Sequence, residues 1–292
     1  MSSMWVHLED AVVLRVSGKD ARRYLNNRLS NDLKSAKVGL VVRAAALTPQ
    51  GRVEGLFSVL VESDESFLLV CDGGKRNTIL AALSRYIVAD RVSIEDISLT
   101  TTVVHGVEVD SAVLEGADVR TISLARVSAG GCDYIVEARE REQVLAHCAA
   151  AWGPALSLHE YALLRWKRGF AAYPVEINES TILTEAGMQD SVSFTKGCYV
   201  GQEVIERSDA IGKLPRTLER IRLAGVHEDL TGAPVVTTSG QTIGKIVSLV
   251  VDREHTCTGV FALLKSGAYS SGDAVRSGQI EGRILVKDEV GE

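Results

Sequence analysis

The chain changes texture near Pro215, and that change constrains its fold more than any other feature. Downstream, short β-rich runs (L-E-R-I-R-L from Leu218, A-P-V-V-T-T, T-I-G-K-I-V-S-L-V-V, T-G-V-F-A-L-L and G-R-I-L-V) are separated by glycine-containing turns, with no strongly periodic helix between them. Short strands of this kind bury their apolar faces by packing on one another, so residues 211–292 are expected to form an all-β sandwich or barrel. The boundary is placed near Ile211 to Arg216.

Upstream, over residues 1–210, strands and helices alternate irregularly. Val12 to Val16 runs into S-G-K-D, where Ser17 or Asp20 is placed to cap a helix A-R-R-Y-L-N-N-R-L. Its apolar positions Ala21, Tyr24, Leu25 and Leu29 fall at helical spacing. Residues 52–71 read as a hairpin turning at S-D-E-S, and Lys75 to Tyr86 as a helix with Ile79, Leu80, Leu83 and Ile87 on one face. R-V-S-I-E-D-I returns as a strand. Thr102 to Val113 and Asp133 to Ala138 read as further strands, and Arg141 to Trp152 as a helix. Hairpins mixed with helices indicate an α+β arrangement rather than a doubly wound parallel sheet.

A chain of 292 residues with 46% hydrophobic and 24% charged residues is long enough for two or three modules with sizeable cores, and disorder is not indicated. Nothing approaches the apolar run of about 18 residues that a membrane span needs, and no signal or transit segment is read at the N-terminus. The net charge of -6 leaves little for nonspecific attraction to phosphate backbones, so no direct nucleic-acid partner is expected. Cys71, Cys132, Cys148, Cys198 and Cys257 are scattered and include no C-x-x-C pair. This argues against a disulfide framework and against a metal site closed by this chain alone, and it suits a reducing cytoplasm. The histidines show no H-x-x-x-H spacing, and neither a P-loop nor a G-x-G-x-x-G fingerprint is present.

The strongest chemical signal is Lys196 to Glu203, K-G-C-Y-V-G-Q-E. Lys196 brings a positive charge two residues from Cys198, while Gly197 and Gly201 allow backbone angles and close approaches that a Cβ would obstruct. From Gly201 the run G-Q-E-V-I-E-R reads as the first turns of a helix. Cys198 then precedes a helix N-terminus, where unpaired N–H groups and the macrodipole favour a thiolate. The competing reading is a small buried hydrophobe, the commonest state of a free cysteine.

With its surroundings, this octapeptide resembles the signature of the YgfZ branch of the folate-binding aminomethyltransferase (glycine-cleavage T-protein) superfamily. The likeness takes in S-G-K-D-A-R-R-Y-L-N-N-R-L-S-N-D at Ser17 to Asp32, L-T-P-Q-G-R at Leu47 to Arg52, R-Y-I-V-A-D-R-V-S-I at Arg85 to Ile94, and Tyr161 to Pro174. It continues through S-F-T-K-G-C-Y-V-G-Q-E-V-I-E-R at Ser193 to Arg207 and G-K-I-V-S in the β region. The resemblance implies a clover-leaf of α+β subdomains, two of them interleaved over residues 1–210, closed by a C-terminal β-barrel domain around a folate pocket. It implies tetrahydrofolate as cofactor, and iron-sulfur enzymes or their assembly factors as partners. It further implies a role in assembling or maintaining iron-sulfur clusters, with an indirect effect on tRNA modification.

Carried over residue by residue, Cys198 is the signature thiol, a redox-sensitive group or a transient cluster ligand. Lys196, Tyr199, Gly201, Gln202 and Glu203 fix its loop, and Arg207 matches the arginine that follows. Tyr161 stands where the family has an aromatic facing the folate, although a core tyrosine bonded to backbone fits the sequence as well. Arg165 and Arg207 are candidates to receive folate carboxylates, and the resemblance places Lys167, Tyr199, Gln202 and Glu203 in the folate site with them.

Two departures bear on function. T-proteins place an acidic pair after the glycine-rich turn, whereas here Gly55 and Leu56 occupy those positions and neither moves a proton. Glu54 is one residue off, which in a strand turns its side chain to the opposite face. Relatives also carry R-x-E-x-G after the aromatic, the glutamate accepting from the pterin. This chain reads Arg165-Trp166-Lys167-Arg168-Gly169, and a lysine there donates only, so the pterin is expected to be held differently or weakly. Trp166 is a candidate to stack on a flat ring or, alternatively, a core anchor. Three functions therefore stand side by side: a folate-binding accessory protein for iron-sulfur enzymes, a tetrahydrofolate-dependent aminomethyltransferase or demethylase using a substitute acid, and a folate-independent interaction module.

Overall fold

The structure is a computed structural model that describes residues 3–114, 118–124, 126–127, 131–210 and 214–286. In chain order β1 (Met4–His7), β2 (Val12–Ser17), α1 (Ala21–Arg28), β3 (Val41–Leu47), β4 (Val53–Val61), β5 (Ser66–Cys71), α2 (Arg76–Ser84) and β6 (Ser93–Asp96) come first. All but β1 build an antiparallel sheet of order β3-β4-β5-β2-β6 with its two helices. β7 (Thr101–Val107), β8 (Arg120–Ser123) and β9 (Gly131–Glu137) join β1 in a second sheet of order β1-β7-β9-β8, followed by α3 (Arg141–Trp152).

The uninterrupted apolar run of β5 shows how the layers stack. Phe67, Leu69 and Cys71 enter one core with Leu25, Leu29, Ile79 and Leu83 of the α1 and α2 layer. Leu68 and Val70, pointing the other way, enter a second core with Val103, Val107 and Ile135 of the facing sheet. The far face of that sheet, with Val104, Tyr134 and Val136, is covered by Val144, Cys148 and Trp152 of α3. The order of layers is helix, sheet, sheet, helix.

α4 (Leu158–Arg168) connects these layers to the C-terminal part. Ser157 caps it, its hydroxyl accepting from the Glu160 N–H while the Glu160 carboxylate accepts from the Ser157 N–H, and Gly169 ends it at a positive φ of 79°. One helix later, α5 (Gln202–Ala210) leads toward the barrel. β10 (Arg216–Ala224), β11 (Pro234–Thr237), β12 (Thr242–Asp252), β13 (Cys257–Lys265), β14 (Ala274–Ser277) and β15 (Ile280–Ile284) close it in the order β10-β13-β12-β11-β14-β15. Its core is aliphatic, from Ile221, Leu223, Ile243, Val260 and Ile284 among others. The expected α+β region and closed C-terminal barrel are both present.

Some details differ from the sequence reading, and one, at Trp166, decides between its alternatives. Asp20 precedes α1 but its carboxylate accepts from the backbone N–H of Arg91, at 2.9 Å, instead of capping the helix. The strand expected to reach Val113 stops at Val107, where Glu108 takes a positive φ of 54°. The A-V-R-S strand β14 is additional, because four residues offer too little alternation to register. Trp166 is 1% exposed, packed on the backbone of Gly259 with its indole N–H donating to the Val260 carbonyl at 3.2 Å, so it anchors α4 to the barrel and is not free to stack on a ligand. The expected boundary begins at residues 211–213, which lie outside the described residues.

Candidate functional site

The loop that carries Cys198 is built against two other segments that the sequence singled out. A Cβ on Gly201, whose φ is +86°, would stand 2.6 Å from the Thr48 carbonyl oxygen and 3.3 Å from the Gly51 Cα. Gly51, at φ +70°, faces Val204 and the Gly201 carbonyl in return. The T-P-Q-G turn between β3 and β4 and the start of α5 thus meet glycine to glycine. By contrast, Gly197 does not have a positive φ and has no atom within 4 Å of where its Cβ would lie, so the expected close approach exists at Gly201 alone.

The second segment is the L-S-N-D stretch that follows α1. Ser193 donates its N–H to the Ser30 carbonyl, at 3.0 Å, and the Ser30 hydroxyl donates to the Ser191 carbonyl, at 2.5 Å. The Asn31 amide bridges the carbonyls of Arg43 and Asp190, each at 2.8 Å. Lys196 completes the attachment: its ammonium donates to the carbonyls of Asn26, Leu29 (2.6 Å) and Asn31 (2.8 Å) at the C-terminal end of α1, and lies 4.9 Å from the Tyr199 ring centroid. Burial lowers the Lys196 amine to about 8, with Asp32 opposing the shift. Its charge satisfies unpaired helix carbonyls, so Lys196 positions the loop rather than presenting an ammonium to the sulfur.

Cys198 is exposed, whereas Cys71, Cys148 and Cys257 are buried and Cys132 is half-buried. Burial pushes the Cys71 thiol up to about 12 and the Cys148 thiol up to about 11, leaving them inert as nucleophiles. The buried Tyr199 hydroxyl has no hydrogen-bond partner among the described residues, and burial raises it to about 12 with help from Glu206. Gln202, Glu203 and Arg207 lie on the outer face of α5, where Gln202 donates to Glu206 at 2.5 Å and Arg207 pairs with Glu203 at 3.0 Å.

Some of the other expected residues line a cleft of about 530 Å³ between the two sheets, α4 and the segment that follows it. Tyr161 and Arg165 form one wall, one helical turn apart on α4, with the Arg165 guanidinium 5.7 Å from the Tyr161 ring centroid. Tyr173 forms another, its hydroxyl donating to the Glu54 carbonyl at 2.9 Å. Arg165 is already paired with Glu176 at 2.8 Å, and Glu176 also accepts from Ser248 of β12 at 2.7 Å. Arg76, Arg126 and Asp72 supply the remaining charged lining beside Glu9 and Asp10. Lys167, Tyr199, Gln202, Glu203, Arg207 and Cys198 do not line it.

Lys167 points the other way, as a helix position two residues from Arg165 must. Its ammonium lies 3.0 Å from the buried Asp252 carboxylate at the end of β12, which His255 also contacts at 2.9 Å. Lys167 therefore stands outside this cleft, away from Tyr161 and Arg165. Asp252, Glu254 and His255 are the one group of three metal-capable side chains among the described residues, and Lys167 already occupies Asp252. Glu54 is equally committed: Arg28 and Arg85 each hold one of its oxygens at 2.8 Å, while Leu56 is buried in the core.

The cleft contains a group that sequence reasoning missed. Arg126 is buried and donates through Nε and Nη2 to both oxygens of Asp133, at 2.7–3.1 Å, and through Nη1 to Asp72. Asp133 also meets His105 Nδ1 at 2.8 Å. Burial works against both charges, yet Asp133 and Asp72 hold the Arg126 guanidinium far above its usual range, and Arg126 and His105 hold the Asp133 carboxyl well below its own. The only local hint is C-D-G-G, an acid followed by two glycines at the end of a buried strand.

The cleft suits a folate in size and lining: its volume falls in the range of small-molecule sites, and aromatic walls meet both carboxylate and guanidinium groups.

No family model matches the chain. It is 27% identical over 278 residues to the "Iron-sulfur cluster assembly factor IBA57, mitochondrial" of Homo sapiens, covering 82% of this chain and 72% of that protein. It is 23% identical over 224 residues to the "tRNA-modifying protein YgfZ" of Vibrio vulnificus (strain CMCP6), covering 73% of this chain and 68% of that one. The crystal structure of glycine cleavage system aminomethyltransferase T from Bartonella henselae superimposes with a TM-score of 0.83 at 14% identity, covering 100% of this chain and 88% of that chain. The chain is a homologue of the IBA57 and YgfZ proteins, built on the glycine-cleavage aminomethyltransferase fold.

Proposed function

We propose that the protein is a tetrahydrofolate-binding accessory factor for the assembly or maintenance of iron-sulfur proteins, working in the cytoplasm and affecting tRNA modification through its clients. Relatives named as iron-sulfur cluster assembly factors and as tRNA-modifying proteins support the class of role. The observation that carries it is the state of Glu54. This carboxylate adjoins the positions where a transferase keeps its acids, and Arg28 and Arg85 engage both of its oxygens. With both oxygens already engaged, Glu54 has neither one turned toward a substrate, which disfavours one-carbon transfer through a substitute acid at this place. What remains is a cleft able to receive folate and an exposed thiol on a rigidly attached loop.

In this reading Cys198 is the thiol that meets the client, as a redox-sensitive group or as one transient ligand to a cluster in transit. Its exposure gives a partner access, and the attachment of its loop through Lys196 and Gly201 fixes where it is presented. Cys198→Ser changes one exposed atom and leaves the fold intact. In cells whose sole copy carries it, iron-sulfur enzyme activity under oxidative stress is expected to fall to the level of cells lacking the protein. Activity equal to wild type would sink the role given to the thiol.

A further inference from the structure

We propose that Asp72 is the carboxylate that recognises the ring of the bound ligand, accepting from adjacent N–H donors such as those of a 2-amino-4-oxo pyrimidine edge. Arg126, Asp133 and His105 stand behind it as positioning residues. The inference rests on the folate reading and adds to it the residue that takes over the recognition task left open by Lys167.

The geometry that points to Asp72 is a chain of charges running outward from the core. His105 is 1% and Asp133 0% exposed at the side chain, and Arg126 2% exposed, whereas Asp72, at 18%, is the member that reaches the cleft. Arg126 engages one Asp72 oxygen, Oδ1. The other, Oδ2, has no hydrogen-bond partner among the described residues. A carboxylate fixed by a buried guanidinium, with one oxygen still open, is a pre-oriented acceptor. Gly73 and Gly74 follow it and add no side chain to the cleft; a Cβ on Gly74 would stand 3.1 Å from the Tyr173 ring. Glu9 and Asp10 also line the cleft, but both are exposed and neither pairs with a buried cation. Tyr161, beside the Arg165 guanidinium, supplies the flat face that a ring held by Asp72 would meet.

The test is titration calorimetry on the full chain with two ligands: tetrahydrofolate, and an analogue bearing a methyl group in place of the 2-amino group. Wild type is expected to prefer tetrahydrofolate by roughly tenfold or more, the cost of leaving a charged acceptor unpaired. Asp72→Asn turns part of the acceptor into a donor at nearly constant shape. It is expected to weaken tetrahydrofolate roughly 10- to 100-fold while changing the analogue far less. A purely structural role would weaken both ligands equally, and that outcome overturns the proposal. So does wild type that binds the two ligands alike, a result that needs no variant to fold. If wild type binds tetrahydrofolate and Asp72→Asn binds it within twofold, Asp72 is excluded and the folate reading stands. If wild type does not bind tetrahydrofolate, both fall.

Discussion

Arg126→Met is expected to destabilise the protein by about 3–5 kcal/mol at neutral pH, the usual result of removing one partner from a buried ion pair. Methionine keeps much of the volume and contributes no charge, so Asp133 would stay wholly buried with His105 as its remaining partner. The expected sign of the pH dependence follows from the wild-type carboxyl. Arg126 and His105 outweigh burial and hold Asp133 below its usual range. A depressed carboxyl contributes stability above its unfolded value of about 3.9 and loses it as pH falls toward the folded value. In the variant burial prevails and the carboxyl is raised, so that it protonates early on acidification and is relieved of its penalty. The gap between the two proteins should thus be widest near neutrality and narrow in acid. Urea unfolding at several pH values measures it, with a midpoint shift at constant slope as the signature. A gap below about 1 kcal/mol at pH 7 would contradict the network.

That network shows where legibility ends. The hairpin of β4 and β5, the helices α1, α2 and α3 and the barrel were readable because alternation and helical spacing are local, and each reports which side of an element is buried. Tyr161 and Arg165 were readable together because positions four apart on a helix share a face. The same rule turns Lys167 away from them, toward Asp252 of the barrel. His105, Arg126 and Asp133 lie on different segments of the second sheet region, and Asp72 follows the last residue of a strand of the first, so nothing in local spacing announces that they meet. Lys196 illustrates a subtler limit. Proximity in sequence placed its charge near Cys198, but a long flexible stem carries the ammonium to carbonyls at the end of α1.

The two glycines of the octapeptide are expected to respond in opposite ways, which separates a sequence pattern from a physical requirement. Gly201→Ala places a methyl 2.6 Å from the Thr48 carbonyl oxygen, a backbone atom that cannot step aside, at a φ of +86° that disfavours any Cβ. The left-handed conformation costs about 1–2 kcal/mol and the overpacking about 1–3, together about 2–5 kcal/mol. The loss should fall on one contact, the seam between the T-P-Q-G turn and the start of α5. Limited proteolysis within residues 193–201 should then accelerate along with the drop in thermal midpoint. Gly197→Ala meets nothing within 4 Å and should change stability by no more than about 0.5 kcal/mol. Equal effects at both positions would mean that the loop is not held against the hairpin as described. A loss confined to Gly201 would tie the presentation of Cys198 to the fit of one glycine against another.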